Sequence, residues 1–333
     1  MKNTMKNTMK NTIDNCNNKD GLEQGFDGET DKGITSIIPG VENKCLSKGS
    51  GGHGTIYSYN NGKYCAKQVS KNVFEDKEIL FYHNNCYIKN SRICRYLPEY
   101  QGICNKENKN YVLMENLKNG MEEPIEMDIK IGKETASFKI LRSENNLILC
   151  SLFKRVRHKI IDSLMSISNK YYFRVEGLSG FNGSKNKLMK LCPFEALKIY
   201  FSHDTNDIAL KQMYKDLNKI LRFVNSKKFN YYMMGSSIYF AYDKSDPTKN
   251  IVKLIDFAHS GSVDELNKKF KTKIQKYQDG ISNLFKMIKF YKEFHNKIDV
   301  ALLCNKKIRK TIKKTKLKKT KIICKKTQKK LIK

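Results

Sequence analysis

The segment Pro124-Ile-Glu-Met-Asp128-Ile-Lys130-Ile-Gly132 does most to limit what this chain can become. On an extended backbone, side chains two apart project to the same face, so Asp128 and Lys130 stand side by side. A carboxylate next to an ammonium suits a surface that handles hydroxyls and phosphates. A nine-residue pattern gains weight only from its context along the chain.

That context is ordered. Gly49-Ser-Gly-Gly-His-Gly54 precedes Thr55–Tyr59, Asn60-Asn61-Gly62 and Lys63–Lys67, and an Asn-Gly pair between strand-like runs signals a hairpin. A helix is expected to begin between Glu75 and Asn84 and a buried strand at Tyr111–Met114. Further β segments are expected at Tyr171–Val175, Ile238–Tyr242 and Ile251–Ile255. Leu210, Met213, Leu217, Ile220, Leu221 and Val224 recur at three- and four-residue steps, an apolar helical stripe whose role is core packing. A second helix is expected over 281–303. Glycine-rich hairpin, strand Lys67, helix Glu78, apolar strand with a polar hinge and late Ile255-Asp256-Phe257 together outline a two-lobed kinase.

Charge narrows the partners. The net charge is +31, and Lys306–Lys333 contributes 15 basic residues and no acid, leaving +16 for the rest. Such a balance calls for a polyanion, whether nucleic acid, anionic lipid or a polyphosphorylated small molecule. The lysine-rich tail admits a different class of function, a basic nucleic-acid-binding protein, and equally an import signal or a solubilising tail. No zinc spacing or nucleic-acid-reading motif accompanies it. No apolar run approaches the length of a membrane span. The start carries three copies of Met-Lys-Asn-Thr and no secretory pattern, so residues 1–40 are expected to be disordered and the protein cytoplasmic, nuclear or both. Ten cysteines without a C-x-x-C pair are expected to be reduced thiols.

The pattern P-x-x-x-D-x-K-x-G at 124–132 resembles the signature of the inositol polyphosphate kinase family. Glu78-Ile-Leu-Phe81-Tyr82, eleven residues beyond Lys67, is similar to the family's E-x-x-F-Y. Leu97–Gly102, Tyr111–Leu117, Phe173–Leu178, Gly235–Tyr239 with Tyr242-Asp243, and Lys253–Ser260 follow in the family's order, over about residues 48–295. Ala258-His259 matches the multikinase and hexakisphosphate kinase branches; the trisphosphate 3-kinase branch has Gly-Lys there. No H-R-D or D-F-G appears, which counts against a protein kinase.

The resemblance implies an α+β, two-lobed kinase-like fold, a small antiparallel β lobe plus a larger α+β lobe with ATP in the cleft between them. Its divisions would be a disordered 1–40, an ATP-binding lobe 41–118, a lobe 119–304 with the inositol phosphate and Mg²⁺ site, and the tail 305–333. It further implies that Lys67, paired with Glu78, meets the ATP phosphates. Backbone groups of Glu115 and Leu117 would read adenine, Asp128 the ribose, and Asp256 would hold Mg²⁺. Lys130 and Asp256 would be catalytic, and Lys130, His259 and Lys159 would bind the inositol polyphosphate. The basic run Lys154, Arg155, Arg157, His158, Lys159 fits a phosphate grip or a solvated helix face. The implied activity is phosphoryl transfer from ATP to an inositol polyphosphate by a monomer. Inositol hexakisphosphate, giving a diphosphoinositol product, is the first reading, and a multikinase acting on tris- or tetrakisphosphates the alternative.

Overall fold

The computed structural model describes residues 56–59, 62–68, 76–106, 109–132, 166–262, 271–297, 299–300 and 304. The glycine-rich run, Lys154–Lys159, both termini and most of the divergent segment after Gly132 lie outside the described residues. Strands β1 (Ile56–Tyr59) and β2 (Tyr64–Gln68) form the expected hairpin, with Tyr59 opposite Tyr64 and Gly62 at φ 83°, a left-handed conformation that glycine adopts without a Cβ penalty. Strands β3 (Tyr100–Lys106) and β4 (Lys109–Glu115) complete an antiparallel sheet ordered β1-β2-β4-β3.

Helix α1 (Lys77–Tyr82) starts where Asp76 caps it, its carboxylate accepting the amides of Glu78 (3.0 Å) and Ile79 (3.2 Å). A π-helical turn, His83–Ile88, continues from it. The larger half is built on the sheet β6-β5-β8-β9: β5 (Pro124–Ile131), β6 (Phe173–Leu178), β8 (Ser237–Asp243) and β9 (Asn250–Ile255), all antiparallel. Between β5 and β8 the chain forms α2 (Ser168–Tyr171), β6, α3 (Lys185–Lys190), α4 (Pro193–Tyr200), α5 (Ile208–Val224) and β7 (Tyr231–Met233). Beyond β9, β10 (Ser260–Ser262) pairs with β7, and α6 (Lys271–Phe294) ends the fold.

The stripe on α5 is core: Leu210, Met213, Leu217, Ile220 and Val224 are buried. Each such side chain is worth about 1.5–3 kcal/mol of transfer free energy. Two amides at the start of α5, of Ile208 and Leu210, donate to Asp204 at 2.8 Å. These elements make an α+β fold in which a small antiparallel sheet and a larger antiparallel sheet carry the helices.

Two expectations change. The last helix starts at Lys271 and ends at Phe294, ten residues ahead of the expected start, because the lysines and Gly280 in its first half mask the apolar face of Tyr277, Ile281 and Leu284. Among the described cysteines, Cys86–Cys94 and Cys192–Cys304 form disulfides, and the buried Cys65 belongs to neither. The sequence separations, 8 and 112, conceal that folding brings the Cα atoms to 5.5 and 6.0 Å.

Candidate active site

Lys67 emerges from the middle of the small sheet between Ile56 on β1 and Val112 on β4. Its ammonium donates to Glu78 Oε2 at 2.6 Å, with both side chains buried. Burial alone would make that ammonium easier to deprotonate, but Glu78 and Asp256 hold its pKa above the ordinary lysine value. The second oxygen of Glu78 faces the amide of Phe257 at 3.4 Å. One carboxylate therefore ties a strand of the small lobe to the residue following Asp256. Phe81 and Tyr82, one helical turn along α1, stack on and edge against the Phe257 ring with centroids at 4.7 and 5.4 Å.

Asp256 directly follows β9 in a left-handed conformation, φ 64°, a backbone state uncommon for a residue other than glycine. Its Oδ1 lies 3.7 Å from Lys67 Nζ and its Oδ2 3.9 Å from Lys130 Nζ. Lys130 faces Arg174 across β6 and Ser237 across β8. Asp128, two residues back on the same face, stands between Gly177 and Tyr239. It is only 5% exposed, and its Oδ1 is buried without a hydrogen-bond partner. Burial pushes its carboxyl up to about 7, with Lys130 opposing and Asp256 adding to the rise.

The hinge is held from both sides. Glu115 accepts the Glu99 amide at 3.1 Å and approaches Lys253 Nζ at 3.5 Å, while Lys253 donates to Leu97 O at 2.9 Å. Asn116 donates to Gly62 O at 2.6 Å and accepts the Lys118 amide at 3.1 Å. Lys118, 1% exposed, reaches Glu126 at 3.0 Å, and Glu126 also accepts the Tyr239 hydroxyl at 2.6 Å. These bonds set Leu117 over the large sheet, where its side chain packs with Tyr239 and Ile255.

Folding thus brings Lys67, Glu78, Asp128, Lys130 and Asp256 together, with Glu115 and Leu117 at the hinge beside them. His259 occupies the turn between Asp256 and β10, closed by the Ser260 amide donating to Phe257 O at 3.0 Å. Lys159 lies outside the described residues. Sequence reasoning missed two partners. Lys253 anchors the hinge, and Glu176 bonds Arg174 at 2.6 Å and Lys185 at 3.1 Å. Burial would raise the Glu176 carboxyl, but Arg174, Lys130 and Lys185 hold it below its ordinary value. Its place two residues after Arg174 on a strand was the available signal.

Two carboxylates, one with an unsatisfied buried oxygen, form a hard-oxygen donor set that fits a magnesium-like cation. Two ammoniums within 4 Å of Asp256 fit the phosphates such a cation accompanies.

In sequence, residues 111–290 match the inositol polyphosphate kinase family. No curated protein matches the chain. Among solved structures it is similar to the inositol phosphate multikinase Ipk2 of S. cerevisiae in complex with ADP and Mn²⁺, with 20% identity and a TM-score of 0.52, over 69% of this chain and 99% of that one. A second similar structure is of an inositol phosphate multikinase, at 18% identity and a TM-score of 0.46, over 64% and 98% of the two chains. The family match spans more than half of the 333 residues and contains Asp128, Lys130 and Asp256, the three side chains that face one another here. By that match this chain belongs to the inositol polyphosphate kinase family.

Proposed function

We propose that the chain transfers the γ-phosphoryl group of ATP to inositol hexakisphosphate, giving a diphosphoinositol product. ATP lies between residues 41–118 and 119–304, with adenine against the Glu115–Leu117 backbone. Lys67 meets the nucleotide phosphates and Glu78 holds its ammonium in place. Asp128 takes the ribose side of the site. Asp256, with Asp128 beside it, would hold Mg²⁺, which when bound screens the charge of the phosphates. His259 faces the acceptor.

In the transfer, an acceptor phosphate oxygen bonds to the γ-phosphorus as the bond to the ADP oxygen breaks. Lys130 lies where charge passes between the two oxygens and neutralises it without moving a proton. A phosphate oxygen is already ionised, so no general base is required. The observation that carries this reading is the bridging of Lys67 and Lys130 by the two oxygens of Asp256. The Ipk2 likeness, to a multikinase with ADP and Mn²⁺, supports a second reading at least as well: phosphorylation of ring hydroxyls on inositol tris- or tetrakisphosphate.

Incubating purified protein with Mg-ATP and inositol tris-, tetrakis- and hexakisphosphate, with products separated by charge, tests both. A diphosphoinositol product from the hexakisphosphate supports the first reading. Product only from the lower phosphates replaces it with the second, and no product from any acceptor ends both. Removing 306–333 separates the nucleic-acid reading, because a kinase keeps its turnover and a nucleic-acid binder loses its affinity.

A further inference from the structure

Two large hydrophobic side chains are more than half exposed among the described residues, and they are neighbours: Tyr87 at 55% and Ile88 at 51%. They end the π-helical turn that continues α1. Over residues 79–98 the sequence carries Lys89, Arg92 and Arg95 and no acid, and all three cations are exposed. None of these groups belongs to the site around Asp256.

The surrounding fold holds this tip outward. The chain turns at Asn90, φ 44°, and the Ser91 amide donates to Asn85 O at 2.7 Å, closing the base. Asn85 in turn donates to Phe81 O at 2.8 Å, and the Cys86–Cys94 disulfide spans the tip. The fully buried His83 stacks against the Tyr87 ring, with centroids 5.0 Å apart. Arg92–Tyr96 forms a 3-10 helix, whose three residues per turn put Arg92 and Arg95 on one face, while Ile93 between them is buried. A tip fixed in this way loses little further freedom when it meets a partner.

We propose that residues 87–95 dock the chain on anionic membrane surfaces. At such a surface a phenol rests at headgroup level, a branched alkyl group enters the upper acyl layer, and lysine and arginine pair with lipid phosphates and carboxylates. The tip offers all three and no carboxylate to oppose them. A soluble polyanion would use the cations and leave Tyr87 and Ile88 wet, and an apolar protein groove would leave the cations unmatched. Each cation near an anionic surface strengthens attachment about fivefold, so the tip alone gives weak, reversible binding. The lysine-rich tail 306–333 also attracts anionic lipid, by charge alone, so the two contributions are separated by watching position 87 itself.

The chain contains no tryptophan, so Tyr87→Trp in the full chain supplies a single indole at the tip. Its emission, and its quenching by phosphatidylcholine brominated at shallow acyl positions, are followed on vesicles containing about 30% phosphatidylserine, with co-sedimentation measured in parallel. A blue shift with quenching is expected on these vesicles and not on phosphatidylcholine alone. Adding Arg92→Gln and Arg95→Gln is expected to lower the quenched fraction about tenfold, and adding Ile88→Ser about threefold, with unchanged circular dichroism. A chain that sediments with the vesicles while its indole stays in water would overturn the tip and assign attachment to the tail. Equal quenching on neutral vesicles, or quenching that survives loss of both arginines, would overturn it as well. A blue shift that grows with protein concentration in the absence of lipid would replace the membrane with a second copy of the chain.

Discussion

Replacing Asp128 with Asn should make the unliganded protein more stable at alkaline pH while removing its activity. A carboxyl whose folded pKa exceeds its unfolded value binds more protons folded than unfolded between the two, so stability falls as pH rises through that interval. For Asp128 the interval runs from 3.8 to about 7. Each unit is worth about 1.4 kcal/mol, so roughly 3 kcal/mol of the wild-type loss falls between pH 5 and pH 8. Asparagine keeps the shape and cannot ionise, so it avoids that loss. Urea denaturation of both proteins at the two pH values, without nucleotide or metal, reads the difference. The stability gap is expected to move by about 3 kcal/mol in favour of D128N on going from pH 5 to pH 8. A gap constant to within about 1 kcal/mol would refute the reasoning, because it would mean that Asp128 is ionised in the folded state without cost. Mg²⁺ with ADP should flatten the wild-type slope and leave D128N unaffected, since a bound cation pulls the carboxyl back to its charged form.

Asp256→Asn should lower turnover by about 10²-fold or more. Its fold should be intact by circular dichroism, because asparagine tolerates the left-handed backbone found at φ 64°; near-normal turnover would contradict the assignment. Lys130→Ala should reduce kcat by about 10²-fold with the KM for ATP within a few-fold. A change confined to the KM for ATP would instead move Lys130 into the nucleotide site. Gly280→Ala should cost about 1–3 kcal/mol in urea denaturation despite alanine's better helix propensity, since the added carbon would stand 2.2 Å from a backbone carbonyl. A gain in stability would show that α6 is free to slide.

The groups that converge on Asp256 were legible because each sits in a short, covalently local pattern whose geometry follows from strand or helix period. Asp128 and Lys130 share a face through a two-residue step, and the pairing of Lys67 with Glu78, eleven residues on, was implied by the family resemblance. The α5 stripe was legible for the same reason, an apolar period on a polar background. What stayed hidden depends on contacts between distant segments. Glu115 meets Lys253 across 138 positions, and the register of α6 is fixed by Tyr172, more than a hundred residues earlier. No periodicity in either partner encodes those meetings.

The same division explains why the chemistry is easier to read than the acceptor. Lys67 comes from the small sheet, and Lys130 and Asp256 come from β5 and the end of β9, the two strands that flank β8, so each carries its own short pattern even though the strands are not neighbours in sequence. His259, the described residue proposed to face the acceptor, sits in a turn, where no strand or helix period marks it.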